Sequence, residues 1–419
     1  MKIAIFGGIR NRGGFARLFC KDVEIAFFID NSLDKVGEML DGIEIYSPYK
    51  FPQGDVDYIV VFIYEYILVN QELMDLGVAP DKIVNFNDSA IQLSQYGIFN
   101  EEEADKLRIK LKLDYMDRRI EELENNLRYF EENYFYEAVE KIKNHEIRIP
   151  RVCSIENTCE KILSEKCSMS RYGGGEFDII LGRARDIYQC NNQDLAKRLK
   201  DILASNQKNH IIALADNYGA MEGLRKENKN TIRKYMAEGK REEHYALLDM
   251  KKEYYNAYIS RPYVIYPHDD IQAARKRFDA LRQIWDKRHV LFVEGDRTRM
   301  GVGNDLFDNA ACIERIIAPN ENAFDVYDKI YAAALIHGKD KLIIIALGPT
   351  ATVLAYDLAM VGYWALDMGH IDLEYEWFLK GKGYCYIPHK YNNEMLGDTQ
   401  VTDISCPDYE ASILCRIEV

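Results

Sequence analysis

Three hydrophobic patterns follow one another along the chain. Over residues 1–95, short apolar runs rich in Val, Ile and Phe (Lys2–Phe6, Glu24–Ile29 and Asp57–Ile63) alternate with helical stretches near 14–20 and 66–76, each run bounded by Gly, Pro, Asn or Asp. Continuous apolar runs of this length are what strands buried on both faces look like. This part therefore reads as a half-Rossmann unit. Over 101–145 charged residues dominate, and apolar ones recur at Ile109, Leu113, Met116, Ile120, Leu123, Leu127, Phe130 and Tyr134. Those gaps alternate four and three, a heptad seam along one helix. Such a seam suits either a homodimer through 105–140 or a single amphipathic connector lying on its own domains. Pro150 ends the segment, because proline cannot continue a helix. From 151 to 390 the alternation resumes. Strands are expected at His210–Ala215, His289–Val293, Ile313–Ile317, Leu342–Leu347 and Tyr363–Leu366, with helices at about 194–204, 229–258, 270–286, 324–336 and 350–361. The last 30 residues carry no periodic pattern. The expected fold class is α/β: two Rossmann-like domains joined by a long helical segment. The first, a Rossmann-like accessory domain, covers 1–97, the connector 98–149, and a larger domain 150–419.

Composition narrows this picture. The chain has 419 residues, 47% of them hydrophobic and 29% charged, enough for packed cores in two domains. Its formal net charge of −14 disfavours a broad nucleic-acid footprint, which needs a basic surface. Nine cysteines, an odd count with no C-x-x-C spacing, fit reduced thiols better than a disulfide scaffold or a cysteine zinc site. No apolar run approaches the roughly 20 residues that span a bilayer. MKIAIFGG reads as a strand and a glycine turn, not a leader. A cytoplasmic protein is expected.

The glycine pairs in IFGGIRNRGGF follow the first strand but lack G-x-G-x-x-G spacing, and Asp30 closes the second strand where a ribose-binding acid often sits. A tight strand-to-helix turn needs glycine whether or not a ligand binds there.

Four stretches of the larger domain carry more chemistry. In SMSRYGGGEFDII (168–180), Arg171 and Glu176 flank three glycines. Glycine lets backbone N–H groups approach an anion, and arginine pairs with phosphate in bidentate fashion. A glycine turn with a helix-capping acid explains the same residues. In VEGDRTRMGVGNDLFDNA (293–310), a strand ends in Glu294, followed by Arg297, Arg299, Gly301, Gly303, Asn304 and Asn309. Polar groups just past a strand's carboxyl end sit where ligands bind in open α/β sheets; a solvated loop is the alternative. In IIIALGPTATVLAYDL (343–358), Gly348 and Pro349 lead into a helix whose first turn holds Thr350 and Thr352, an anion site or an ordinary capped turn. In DMGHIDLEYEW (367–377), Asp372 and Glu374 lie two apart, with His370 and Glu376 nearby. In an extended or loop segment that spacing aims both carboxylates to one side, as Mg²⁺ or Mn²⁺ ligation requires. A polar strand end reads the same way.

Taken together, SRYGGGE, EGDRTRMGVGNDLFDNA, ALGPTATVLAYDLA and GHIDLEYEW resemble the GT-D glycosyltransferases, catalogued as domain of unknown function 1792, over roughly 150–390. The resemblance implies a Rossmann-like fold, a nucleotide-sugar donor (typically a UDP-sugar) and Mn²⁺ or Mg²⁺ held by a D-x-E motif that maps onto Asp372 and Glu374. The family's glycine loop maps onto Arg171, Tyr172, Gly173, Gly175 and Glu176, while Gly174 stands where members often carry Asp. Substrate-binding roles are expected for Arg171, Tyr172, Gly173, Gly175, Arg299, Asn304, Asn309, Gly348 and Thr350. Glu176, and after it Glu294, is expected to take the acceptor hydroxyl's proton. The acceptor would be a glycan or glycoprotein. Two rivals stay open: a non-enzymatic nucleotide-sugar-binding scaffold, favoured by Gly174, and an NAD(P)-dependent oxidoreductase acting through residues 1–95. A thermal-shift panel of sugar nucleotides with Mn²⁺, followed by a UDP-release assay, separates the three. Stabilisation with release marks a transferase, stabilisation without release a scaffold, and stabilisation by NAD(P) alone an oxidoreductase.

Overall fold

A computed structural model describes residues 1–7, 18–32, 35–64, 66–88, 93–142, 149–183, 188–392 and 401–418, with backbone alone at 94, 135 and 138–142. The chain divides into two compact units, Met1–Asn125 and Asn126–Val419. Both are α/β and built on parallel strands. Among the described residues, no helix is long and apolar enough to cross a membrane.

The first unit contains β1 (Lys2–Phe6), β2 (Glu24–Ile29), β3 (Met39–Leu40), β4 (Ile43–Tyr46), β5 (Tyr58–Val61) and β6 (Ile83–Asn85), in the order β3-β4-β2-β1-β5-β6. Every pairing is parallel except β3 with β4. On β1, Ile3 and Ile5 enter one core while Ala4 and Phe6 enter another. Burial on both faces is why this strand shows no polar alternation. Gly7 has φ +73°, and a Cβ there would lie 2.8 Å from Ile63 Cγ1, so the turn itself demands glycine. The remaining glycines of that motif, Gly8, Gly13 and Gly14, and the helix expected near 14–20 (apart from Leu18–Cys20) lie outside the described residues. Asp30 accepts hydrogen bonds from Ser32 N (2.8 Å) and Lys35 Nζ (3.4 Å).

The helix Glu101–Ile142 realises the long heptad segment. Ala104, Leu107 and Leu111 join a core of the first unit, Arg108 donates to Phe86 O (2.6 Å) and Asp88 O (2.8 Å), and Tyr115 stacks on Tyr64. Past Asn125, Asn133 is buried and accepts from Arg241 Nη2 at 2.7 Å, and Glu137 binds Arg233 through two hydrogen bonds of 2.8 and 2.9 Å.

The second unit holds β7 (Arg151–Val152), β8 (Ser168–Tyr172), β9 (His210–Leu214), β10 (Glu253–Asn256), β11 (His289–Gly295), β12 (Cys312–Ala318), β13 (Leu342–Ala346), β14 (Trp364–Asp367) and β15 (Ile413–Arg416). The order is β15-β12-β11-β13-β14-β8-β9-β10-β7, parallel at every pairing. Leu291, Val293, Ile343 and Ile345 point into one core; Val290, Phe292, Leu342 and Ile344 point into the other. After β8 the chain passes to the first of these faces, through the helices Gly174–Ile180 and Gln193–Leu203. After β14, which neighbours β8, the helix Ile371–Lys380 packs on the opposite face. The chain thus leaves two adjacent strands toward opposite sides, which opens a crevice at their carboxyl ends.

Two expectations are corrected. The helix expected over 229–258 is two helices, Lys226–Met236 and Lys240–Leu247, followed by β10. The break falls where Glu238 (φ +58°) and Gly239 (φ +81°) adopt left-handed backbone, which a continuous helix cannot contain. The unpatterned C-terminal stretch contributes the helix Pro407–Ala411 and the edge strand β15.

His210 opens β9, is buried, and shares a 2.8 Å hydrogen bond with Ser170 Oγ. Burial, with Lys252 adding to it, pulls its pKa down to about 3. The unfolded chain therefore takes up a proton near pH 6.5 that the folded chain refuses until about pH 3. Stability is lost as pH falls through that window. His210→Asn removes this contribution, so its destabilisation relative to wild type should be smaller at pH 5 than at pH 7.5 by on the order of 2 kcal/mol in denaturant titrations. A pH-independent difference would show that His210 titrates normally.

Candidate active site

The crevice is a cleft of about 560 Å³ at the carboxyl ends of β8, β9, β10, β13 and β14. From β8 come Arg171, the glycines 173–175 and Glu176; from the turn after β13, Leu347, Gly348 and Pro349; from the turn after β14, Gly369, His370 and one edge of Asp372. Asn217, Tyr258 and Arg261 follow β9 and β10, and Tyr235 lies on the helix Lys226–Met236.

Arg171 is held by Asp367, the last residue of β14. Nε and Nη2 donate to Asp367 Oδ1 at 3.0 and 2.6 Å, Nε also reaches Asp367 O at 2.8 Å, and Nη1 donates to Ser260 Oγ at 2.5 Å. Asp367 is buried; its other oxygen accepts from Thr352 Oγ1 (3.2 Å) and Arg171 N (3.3 Å). Burial raises the Asp367 pKa, opposed by the guanidinium. Gly369 makes room for this pair. Its φ is +37°, and a Cβ there would overlap Arg171 Nη2. Sequence reasoning missed both Asp367 and Gly369. An acid at the carboxyl end of an expected strand was the available signal.

Glu176 sits at the third position of the helix Gly174–Ile180 and accepts from Gly173 N at 2.7 Å, a capping contact. Burial raises its pKa above the ordinary carboxylate value, with the Gly173 N–H pulling the other way. Gly174 lies against Tyr235, and a Cβ there would come within 3.0 Å of Tyr235 Cζ. The Tyr235 hydroxyl donates to Gly174 O (3.2 Å) and meets His244 Nε2 (3.3 Å), while His244 Nδ1 meets Tyr218 OH at 2.9 Å. Burial lowers the His244 pKa to about 3, so the imidazole stays neutral. Across the cleft, Gly348 has φ +53°, and a Cβ there would lie 3.1 Å from Tyr188 Cβ. Nothing in the local sequence marked Tyr235 or Tyr188.

The family described as "Glycosyltransferase GT-D fold" matches residues 169–395, and "C2185-like, N-terminal" matches residues 1–84. This chain belongs to the GT-D glycosyltransferase family. A structure of domain of unknown function 1792, described as having a distinct glycosyltransferase fold, is 34% identical with a TM-score of 0.61, over 64% of this chain and 96% of that one. A glycosyltransferase (DUF1792) from Streptococcus sanguinis is 33% identical with a TM-score of 0.60, over 64% of this chain and all of that one. "Probable glycosyl transferase Gly" of Streptococcus gordonii is 34% identical over 285 residues, 67% of this chain and 41% of that protein. "Glycosyltransferase GlyD" of Streptococcus pneumoniae serotype 4 is 33% identical over 275 residues, 64% of this chain and 33% of that protein. The chain thus spans less than half the length of these two curated relatives.

Several residues expected in the GT-D site lie elsewhere. Tyr172 alternates with Arg171 on β8 and is fully buried, its hydroxyl donating to Leu199 O (2.8 Å). Glu294 is buried too, paired with Arg315 and accepting from Met300 N (2.7 Å), so it braces the loop after β11 instead of facing the cleft. Arg299 donates to His389 O (3.1 Å) and Thr402 O (2.8 Å), pinning the C-terminal segment. Asn309 donates to Arg282 O (2.9 Å) and Asp286 (3.1 Å). Thr350 is buried behind Gly348, 3.3 Å from Gln189 Oε1.

The D-x-E pair does not fit a shared cation. Asp372 and Glu374 lie in the first turn of the helix Ile371–Lys380, not on an extended segment. Residues two apart on a helix point about 200° from one another. Asp372 Oδ1 accepts from Gly301 N (2.9 Å) and Asn304 Nδ2 (2.8 Å), and Oδ2 is paired with the buried Lys390. Glu374 Oε2 accepts from Tyr263 N (3.0 Å) and Val264 N (2.7 Å). Glu376 accepts from Asn304 (2.8 Å) and lies 3.6 Å from Lys390. Among the described residues, no group of three or more His, Cys, Asp or Glu side chains converges as a metal cage.

Asp372→Ala would leave the buried Lys390 ammonium without its nearest carboxylate, with Glu376 at 3.6 Å and Arg299 O at 3.3 Å as its remaining partners. Denaturant unfolding should show a loss of about 3–5 kcal/mol, most of it recovered in the double variant D372L/K390M. A loss under 1 kcal/mol for D372A alone would mean that the pair is not a structural brace.

Proposed function

We propose that the cleft binds a nucleoside diphosphate sugar, UDP-linked, and transfers its glycosyl group to a hydroxyl of a glycan or glycoprotein acceptor. The observation carrying this reading is the strip Gly173–Gly175 with a fixed guanidinium at one end and a raised-pKa carboxylate at the other, inside one cleft of a GT-D chain. A volume near 560 Å³ suits a ligand of sugar-nucleotide size.

In the transfer, the bond between the sugar's anomeric carbon and the donor phosphate oxygen breaks. A bond from that carbon to the acceptor oxygen forms, and the acceptor proton must leave. Charge therefore builds on the departing diphosphate. Arg171 is positioned for it: Asp367 and Ser260 fix the guanidinium, and Nη1 and Nη2 each carry a second N–H. A donor held rigidly before reaction costs no reorganisation during it. Arg261 borders the same cleft. Glu176 takes the acceptor proton, a role that a carboxyl with a raised pKa performs better than an ordinary one.

The test measures nucleoside diphosphate release from a panel of sugar nucleotides with a mixed saccharide acceptor, in Mn²⁺ and separately in EDTA. Release in either buffer supports the proposal; no stabilisation and no release with any donor in both overturns it. Glu176→Gln should reduce kcat about 10²–10⁴-fold while leaving donor-induced stabilisation within a few-fold. Since the base must be ionised, kcat/KM for wild type should fall as pH drops through a value above 4.5, and the variant should lack that limb. Turnover by Glu176→Gln within tenfold of wild type would remove Glu176 from the base role.

A further inference from the structure

We propose that the helix Glu101–Ile142 pairs with the same helix of a second copy of this chain as a parallel, in-register coiled coil. This inference is independent of the transferase reading. The helix carries two apolar faces. One, with Ala104, Leu107 and Leu111, is spent on a core of the first unit. The other lies about 165° around the axis at 100° per residue. There Ile109, Leu113, Met116, Ile120, Leu123 and Leu127 are each between 47% and 63% exposed, and Phe130 and Tyr134 continue the line. Eight apolar positions in unbroken four–three spacing cover more than three heptads, the length at which such a seam specifies a coiled coil.

Flanking charges choose the partner and its direction. Leu113, Ile120, Leu127 and Tyr134 fall at a positions and Ile109, Met116, Leu123 and Phe130 at d. The g positions are then Asp105, Lys112, Arg119 and Asn126, and the e positions five residues on are Lys110, Asp117, Glu124 and Glu131. A parallel in-register pair sets each g against the e′ five residues later. Three of the four resulting pairs, Asp105–Lys110′, Lys112–Asp117′ and Arg119–Glu124′, are of opposite sign, and the fourth, Asn126–Glu131′, sets an amide against a carboxylate. An antiparallel pair sets e against e′, which brings Asp117 against Glu124. Residues five apart do not meet on one helix; within the chain Arg119 pairs instead with Glu122 at 2.7 Å, an exposed contact that Glu124′ of a second copy would replace. The occupant this complementarity fits is a second copy of this chain.

The full chain is measured by light scattering and sedimentation at micromolar concentration. The expected mass is twice the 48.7 kDa of one chain. Ile120→Lys, at a half-exposed position, should leave the fold intact by circular dichroism and yield monomer. Lys112→Glu should weaken the dimer roughly tenfold by turning two attractive contacts repulsive, and K112E/D117K should restore it. A monomeric wild type overturns the proposal. So does a dimer that survives Ile120→Lys, since the copies would then meet elsewhere. Failure of K112E/D117K to rescue K112E would overturn the parallel register.

Discussion

The ion pair between Arg171 and Asp367 is the contact on which the candidate site depends. It joins the carboxyl ends of β8 and β14, the two neighbouring strands from which the chain departs to opposite faces of the sheet. Burying two charges is expensive unless their remaining hydrogen-bonding capacity is met. Here Thr352, Ser260 and the Arg171 backbone N–H meet it. The pair thereby fixes where the guanidinium stands, and with it where the glycine strip after β8 begins. Gly369 follows from the same contact, since a side chain there would displace the arginine.

Around this pair, other charged residues serve architecture. Glu294 with Arg315 ties the loop after β11 to β12. The buried Asp372, Glu376 and Lys390, with the half-buried Asn304, make a cluster that joins the helix after β14 to the segment 299–304 and to the C-terminal stretch. Glu294 lies at the end of β11, and Asp372 and Glu376 lie on the helix after β14, close to the strand ends where ligands also bind, so position in the fold alone does not separate brace from catalyst. The partner does. Both oxygens of Glu294 and of Asp372 are taken up by backbone N–H groups, Asn304 and buried cations, which leaves neither acid an oxygen for substrate.

The heptad segment shows the same division between pattern and placement. Its period was plain, yet period alone left open whether the seam faced its own domains. Ala104, Leu107, Leu111 and Tyr115 use other faces of the helix for packing in the first unit, and the seam stays at the surface.

Much of this protein was legible before any coordinates. Val-, Ile- and Phe-rich runs announced β1, β2, β5, β9 and β11 to β14, because strands covered on both faces must be apolar throughout. The four motifs announced the GT-D family. Hidden from the sequence was β8, whose Ser168 and Ser170 make it look polar; each hydroxyl is satisfied by a distant carbonyl, Tyr363 O and Thr352 O. Hidden too was the direction of each functional side chain. Asp372 and Glu374 share a side if extended and diverge on a helix, and the folded chain makes Ile371–Lys380 a helix whose residues 371–377 are all buried. Residue type and spacing are local properties that a linear sequence carries in full. Which oxygen meets which donor depends on residues roughly 70 to 200 positions away, and only the folded chain brings those together.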